Sequence, residues 1–279
     1  MNLLVSTEWL AAELGKTDIR VIDATMFLAG HGRNARAEFE AAHIPGAVFF
    51  DIDEVADLAS PLPHMLPPAE KFASRMQALG LGDGSRIVVY DNSPLKSAAR
   101  VWWMLMLFGA HEVAILDGGF AKWQAEGRGS ESGKPVVRHR HFTVWADKSL
   151  VRDAKAMTDN LRTRAEQVVD ARSAGRFAGT EPEPRANLRG GHIPGSKSLP
   201  FDMMFNEDGT YKSPEAIKAA FTDAGIDLAK PVIGTCGSGV TSAVLAFAAA
   251  LVGYNKMAIY DGSWSEWGAN AHNPVVTGA

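Results

Sequence analysis

One cysteine stands among the 279 residues, so no disulfide can form within the chain, and a reducing, cytoplasmic setting is expected. An excess of one charge is missing too. Twenty-eight Lys and Arg face 32 Asp and Glu, for a formal net charge of -4. That balance offers no face for nucleic acid or for an anionic membrane, and neither is expected as a partner. The longest apolar run, Ala243 to Val252, is too short to span a bilayer. The first residues meet Glu8 before any long apolar stretch and carry no basic cluster, so no signal peptide is expected. There is no Cys-x-x-Cys, no His-Glu-x-x-His and no Walker loop, which leaves metal and nucleotide without support. What is present is enough apolar sequence, 46%, for two domain cores.

The chain is written twice. Val21-Ile22-Asp23-Ala24 recurs as Val168-Val169-Asp170-Ala171, and His43-Ile44-Pro45-Gly46 as His192-Ile193-Pro194-Gly195. Asp117-Gly118-Gly119-Phe120 with Trp123 recurs as Asp261-Gly262-Ser263-Trp264 with Trp267. Order and spacing are kept, which marks a duplicated domain. Short β-branched runs at 20–23, 47–50, 86–90 and 113–116, then at 167–169, 231–234 and 256–260, predict strands. Helical patterns fall at 69–79 and 97–108, then at 214–224, opened by Ser213 and Pro214, and at 239–252. Strands separated by crossover helices predict an α/β fold, two tandem domains each with a mainly parallel sheet flanked by helices. The expected boundaries are 1–128 for the first domain, 129–149 for a polar linker and 150–279 for the second.

The predicted strand Pro231–Gly234 runs into Thr235-Cys236-Gly237-Ser238-Gly239-Val240-Thr241 and then a helix. Two glycines let such a turn curl its N–H groups toward one centre, and the helix N-terminus adds its own. A cysteine there is shifted toward thiolate, and the same donors suit the terminal sulfur of a persulfide. The plainer reading is a glycine-rich turn that happens to contain a cysteine.

This loop, and the duplicated chain around it, resembles the tandem-domain rhodaneses, specifically the 3-mercaptopyruvate sulfurtransferase branch, and the resemblance covers essentially the whole chain. It implies a sulfurtransferase that moves sulfur from 3-mercaptopyruvate through a Cys236 persulfide to a thiol acceptor, such as a thioredoxin-like protein, or to cyanide, without a cofactor. Gly237, Gly239, Val240 and Thr241 would line the substrate site. Aligning the copies sets Asp91 opposite Cys236, so the first domain would be catalytically silent, a wall of the site. The segment from Arg176 to Arg185 matches the family stretch whose two arginines grip substrate, implying that role for Arg176 and Arg185. An Asp–His–Ser proton relay falls on Asp53, His64 and Ser238. The plainer readings are solvated arginines, a helix N-cap for Asp53 and a tight turn for Ser238. His43 and His192, like Asp23 and Asp170, occur in both copies and read as structural. Trp102, Trp103, Trp264 and Trp267 read as packing.

The resemblance breaks at Leu95-Lys96-Ser97-Ala98-Ala99-Arg100, where the family segment is longer and often holds a tyrosine; Lys96 would instead add positive charge near the mouth. Thiosulfate-preferring relatives carry basic residues inside the cysteine loop, and this loop has none, so thiosulfate:cyanide transfer is the alternative. A phosphatase of the same fold needs arginine six positions after the cysteine, where Ser242 stands. A non-catalytic persulfide carrier remains as the non-enzymatic reading.

Overall fold

Val, Ile and Leu dominate the short strands and are buried along them, the pattern of a sheet covered on both faces. The computed structural model describes residues 1–278; Ala279, the last residue of the expected second domain, lies outside the described residues. Its strands are β1 (Leu4–Val5), β2 (Ile19–Asp23), β3 (Ala47–Phe49), β4 (Arg86–Tyr90), β5 (Val113–Leu116), β6 (Val151–Arg152), β7 (Gln167–Asp170), β8 (Lys197–Ser198), β9 (Val232–Thr235) and β10 (Ala258–Tyr260). They form two five-stranded sheets, β1-β5-β4-β2-β3 and β6-β10-β9-β7-β8. Every pairing is parallel. The two orders are the same order, so the duplication in the sequence is a duplication of topology. Register makes the correspondence residue by residue. Asp23 pairs with Tyr90 and Asp170 with Thr235, and the next residues along β4 and β9 are Asp91 and Cys236.

By contacts the chain divides into two compact units. Unit 1 gathers Met1–Leu58, Pro67–Asp147 and Phe205–Tyr211; unit 2 gathers Ala59–Leu66, Lys148–Met204 and the chain from Lys212 onward. Of the stretch 129–149 expected as linker, residues through Asp147 therefore cluster with unit 1. His43 and Glu131 exchange backbone hydrogen bonds of 2.9 Å, Thr143 bonds Asp83, and Phe142 is buried against Phe72. The core of unit 1 holds Phe39, Tyr90, Phe120 and Trp123 under the sheet, and that of unit 2 holds Met157, Ile193, Tyr260, Trp264 and Trp267. Trp102 and Trp103 are buried in their helix, Ala98–Leu107.

Side-chain caps start the helices at Ser6, Asn34, Asp51, Asp153, Ser173 and Ser213. The helices Thr7–Glu13, Ala35–Ala41 and Ala154–Thr163 escape the sequence reading because their apolar faces are narrow, with one or two buried residues apiece besides the Asn160 of the last. The helix expected over 239–252 begins only at Ser242, since Gly239 has φ +77° and the preceding residues form the cysteine loop. No described helix is long and apolar enough to cross a membrane. His43 and His192 stack on Phe39 and Phe177, and each ring Nδ1 meets the carbonyl of that same phenylalanine at 2.7 and 2.9 Å.

The repeat-related aspartates Asp23 and Asp170, both buried, differ. Asp170 is ion-paired to Arg172, whereas Asp23, with Thr25 at the corresponding place, has no such cation; burial pushes its carboxyl up to about 6 against the opposing bonds from Thr25 and Tyr90. A raised carboxyl pKa stabilises most below its ordinary value of 3.8, and that contribution is lost as pH rises through about 6. Asp23→Asn should therefore gain on the wild type by about 3 kcal/mol between pH 3 and pH 7, from a shift of about 2 units. Urea unfolding of unit 1 at both pH values checks this; a pH-independent difference would show that Asp23 is ionised at no cost.

Candidate active site around Cys236

β9 delivers Cys236 to the carboxyl edge of the unit 2 sheet, where open α/β sheets bind ligands. The thiol is buried, 1% exposed. The loop is tied from behind by the turn that opens the Ser263–Trp267 helix. The Cys236 carbonyl accepts from Trp264 N at 3.0 Å, and the Gly237 carbonyl accepts from Ser265 N at 2.9 Å and Ser265 Oγ at 2.7 Å. Cys236 N donates to Ser263 Oγ at 3.3 Å, and that hydroxyl donates to the Tyr260 carbonyl at 2.7 Å. With those carbonyls engaged away from the sulfur, the following N–H groups turn toward it. Burial pushes the thiol up, but the Thr241 hydroxyl and the Ser242 and Ser238 N–H groups outweigh it, and the net shift is downward. The Ser242 hydroxyl beside the sulfur is buried and has no other partner. Val240 is buried, and its carbonyl accepts from Ala243 N as the helix begins.

Two arginines lean over the loop. The one-turn helix Ala174–Ala178 is capped by Ser173, which accepts from Arg176 N, and is stopped by Gly179 at φ +78°. Arg185 follows Glu183 and Pro184, a stretch kept extended by Pro182 and Pro184. A Cβ on Gly237 would lie 3.2 Å from Arg176 Nη2 and 3.7 Å from Arg185 Nη1, so the glycine makes room for both guanidinium groups. Arg185 Nη2 reaches Ser238 Oγ at 3.4 Å, and His64 Nδ1 lies 2.9 Å from the same oxygen. With two lone pairs and one proton, the Ser238 hydroxyl can accept from Arg185 while its bond to His64 runs in the direction that the His64 tautomer sets. His64 is buried at a left-handed φ of +59°, and Leu66 N donates to Asp261 Oδ2 at 2.8 Å, which fastens the segment to unit 2.

Unit 2 thus brings together Cys236, Ser238, His64, Arg176, Arg185, Gly237, Gly239, Val240 and Thr241. Asp53 is placed in unit 1, in the first turn of the helix Ile52–Val55, whose N-cap is Asp51 rather than Asp53. Lys96 also belongs to unit 1, its ammonium 4.9 Å from the centre of the Phe205 ring. Sequence reading missed Arg172 and Glu183, which hold Arg176. The signal was in the repeat, where Asp170-Ala171-Arg172 stands against Asp23-Ala24-Thr25.

At the matching place in unit 1, Asp91 accepts from Ser93 N at 3.0 Å and Ala98 N at 2.7 Å, while its carbonyl accepts from Phe120 N at 3.1 Å. A carboxylate fills the nest that surrounds sulfur in unit 2.

A buried cysteine nested at the end of a parallel strand, in a fold written twice, defines the class. The rhodanese-like domain family matches over residues 6–126 and again over 152–270, and the chain belongs to this family. It is 45% identical over 270 residues to the 3-mercaptopyruvate sulfurtransferase of Mus musculus, covering 95% of this chain and 91% of the mouse protein. It is 44% identical over 271 residues to the thiosulfate sulfurtransferase of Bos taurus, with coverages of 95% and 91%. The crystal structure of SseA from Escherichia coli, a 3-mercaptopyruvate sulfotransferase, superposes with a TM-score of 0.86 at 38% identity, over 95% of this chain and 100% of SseA.

Thr241→Val removes the first donor to the sulfur and leaves its burial in place. The thiol should then titrate at higher pH than in the wild type, which itself titrates below an ordinary thiol. Thiolate ultraviolet absorbance against pH reads this cleanly, since Cys236 is the chain's single cysteine. An unmoved midpoint would remove Thr241 from the nest.

Proposed function

We propose that the protein is a 3-mercaptopyruvate sulfurtransferase working through a Cys236 persulfide. The observation that carries this is the uncharged nest around a buried, anion-favouring sulfur. Near-equal identity to mercaptopyruvate and thiosulfate enzymes leaves the donor to the site itself. No basic side chain stands in the loop from Cys236 to Thr241; the guanidinium groups near it are Arg185 and the Glu183-paired Arg176, whose planar donors suit a carboxylate.

The Cys236 thiolate attacks the sulfur of 3-mercaptopyruvate, the carbon–sulfur bond breaks, and pyruvate departs as its enolate. The proton on the substrate sulfur moves to the enolate carbon by way of Ser238 and His64, leaving a Cys236 persulfide anion in the nest. A thiol acceptor, such as a thioredoxin-like protein, or cyanide then attacks the outer sulfur and regenerates the thiolate. Each step balances without a cofactor. Gly237, Gly239, Val240 and Thr241 line the site, and Arg176 and Arg185 orient the donor. Asp53 completes the relay by fixing the histidine, a role that rests on the family resemblance. The first domain, with Asp91 at the cysteine position, takes no sulfur. A cytoplasmic site of action accords with the lone cysteine.

After 3-mercaptopyruvate and before acceptor, mass spectrometry should find one added sulfur on the wild type and none on Cys236→Ser, which should not turn over. Turnover by that variant would refute the persulfide.

The relay is tested by proton demand. Ser238→Ala and His64→Ala should each slow persulfide formation from 3-mercaptopyruvate by about 10²–10⁴-fold, with the double variant scarcely worse. Thiosulfate, whose sulfite leaves as an anion, should be little affected. Multiplying single effects, or equal loss on both donors, would dissolve the relay.

A further inference from the structure

Ser242, the first residue of the helix that follows the cysteine loop, is fully buried, and its hydroxyl makes no hydrogen bond to any nitrogen or oxygen of the protein. A helical serine commonly bonds back to a carbonyl of the preceding turn, but at the first position no such turn precedes it. The side chain lies against β9. A Cβ built on Gly234 would stand 3.3 Å from the Ser242 Cβ and 2.7 Å from Met257 Cε, so the glycine leaves the space that these two occupy. Gly234 and Cys236 are two residues apart along the strand direction and face the same side. Ser242 therefore reaches Cys236 from the sheet, whereas Arg176 and Arg185 meet the loop beyond it, at Gly237.

The fold does not ask for this hydroxyl. The matching helix of unit 1, Ala98–Leu107, has the same ten residues and opens on alanine. The two positions correspond in contact as well. Ala98 N donates to the Asp91 carboxylate at 2.7 Å, and Ser242 N favours the Cys236 thiolate. Where the nest holds a carboxylate the position is alanine; where it holds sulfur the position gains a hydroxyl. A buried hydroxyl without a partner costs stability, so one kept beside a reacting sulfur points to a partner that forms during the reaction.

The charge on that sulfur changes through the cycle. As the thiolate attacks a donor it gives up its negative charge, and the persulfide then carries charge on the outer sulfur. When a thiolate or cyanide acceptor bonds the outer sulfur, the sulfur–sulfur bond breaks and its electron pair returns to Cys236 Sγ. A donor fixed beside Sγ is aimed at the charge that develops in this second step. We propose that the Ser242 hydroxyl serves persulfide discharge: it bonds Sγ as the thiolate departs and so makes Cys236 a better leaving group. It restrains the first step, because a better stabilised thiolate attacks less readily. This rests on the reading of Cys236 as the sulfur acceptor.

The test is Ser242→Ala in the full chain, which gives unit 2 the residue that unit 1 already carries. Each half-reaction is followed by itself in rapid mixing, at a pH above the thiol midpoint of both proteins. Loading is measured with 3-mercaptopyruvate, and discharge with cyanide on persulfide formed beforehand with sodium polysulfide. The ratio of discharge to loading rate constants should fall on the order of ten-fold, as loss of one hydrogen bond to an anion would produce. Discharge should be the half that slows. The Cys236 thiol should also titrate at higher pH than in the wild type, read by thiolate absorbance. A packing role would slow both halves alike; an unchanged ratio, or an unmoved thiol midpoint, overturns the proposal. If polysulfide loads the wild type and 3-mercaptopyruvate does not, the proposed donor falls, and the ratio is read with polysulfide for loading. A wild type that neither reagent loads overturns both readings.

Discussion

Everything at the site depends on a buried sulfur being held by uncharged hydroxyl and N–H donors rather than by a cation. Burial alone would keep Cys236 protonated and inert; donors from Thr241, Ser242 and Ser238 reverse that. They can do so because the loop's carbonyls are taken up elsewhere. The backbone of Trp264 and Ser265 claims the Cys236 and Gly237 carbonyls, and the Ser265 hydroxyl doubles the second bond. The Ser263–Trp267 helix is therefore part of the nest although none of its side chains reacts. Ser263 holds φ +49° to bring this about, a conformation unfavourable to residues with a Cβ. Its hydroxyl, bonded both to Cys236 N and to the Tyr260 carbonyl, fixes that turn.

The copy without a cysteine shows what the nest can hold. In unit 1 the same strand, turn and helix surround Asp91, whose carboxylate accepts the N–H bonds of Ser93 and Ala98. A nest that houses a carboxylate in one copy and a sulfur in the other is a general anion site, and the residue placed in it decides the chemistry. The carboxylate fills it permanently. Sulfur, with an attackable neighbour and a lone pair to give, makes the same geometry a transfer station. Each copy also uses its Asp-Gly turn to hold a segment from outside its own repeat: Asp117 takes Tyr211 N, and Asp261 takes Leu66 N.

The repeat, seven of the ten strands and the cysteine loop were legible because each is local: a β-branched run, a glycine pair, a cysteine before a helix; the two-residue strands β1, β6 and β8 are too short to leave such a run. So were the structural histidines, since residues shared by a copy with the cysteine and a copy without it explain themselves by packing. The exchanged segments were not legible, because nothing near His64 in sequence tells that 59–66 joins unit 2 or that 205–211 joins unit 1. The packing of 129–147 with unit 1 was hidden for a related reason. A polar, glycine-bearing stretch reads as free, but His43 and Glu131 pair across it through backbone groups that composition does not reveal. Arg172 was hidden differently. Beside Asp170 it looks like a variable neighbour of a structural aspartate, and its reach to Glu183 depends on a loop eleven residues on.

The loop that holds the sulfur carries no formal charge of its own. A lysine or arginine inside the loop would hold the sulfur anion, yet it would also draw in any dianion and stabilise the persulfide against onward transfer. Backbone N–H groups carry no net charge, so they favour the sulfur anion at short range and fade within a few ångströms. The guanidinium groups beside the loop stand on a different segment: Arg176, held by Glu183, and Arg185. Ser238 joins the two systems. Its N–H serves the sulfur while its hydroxyl meets His64 and Arg185.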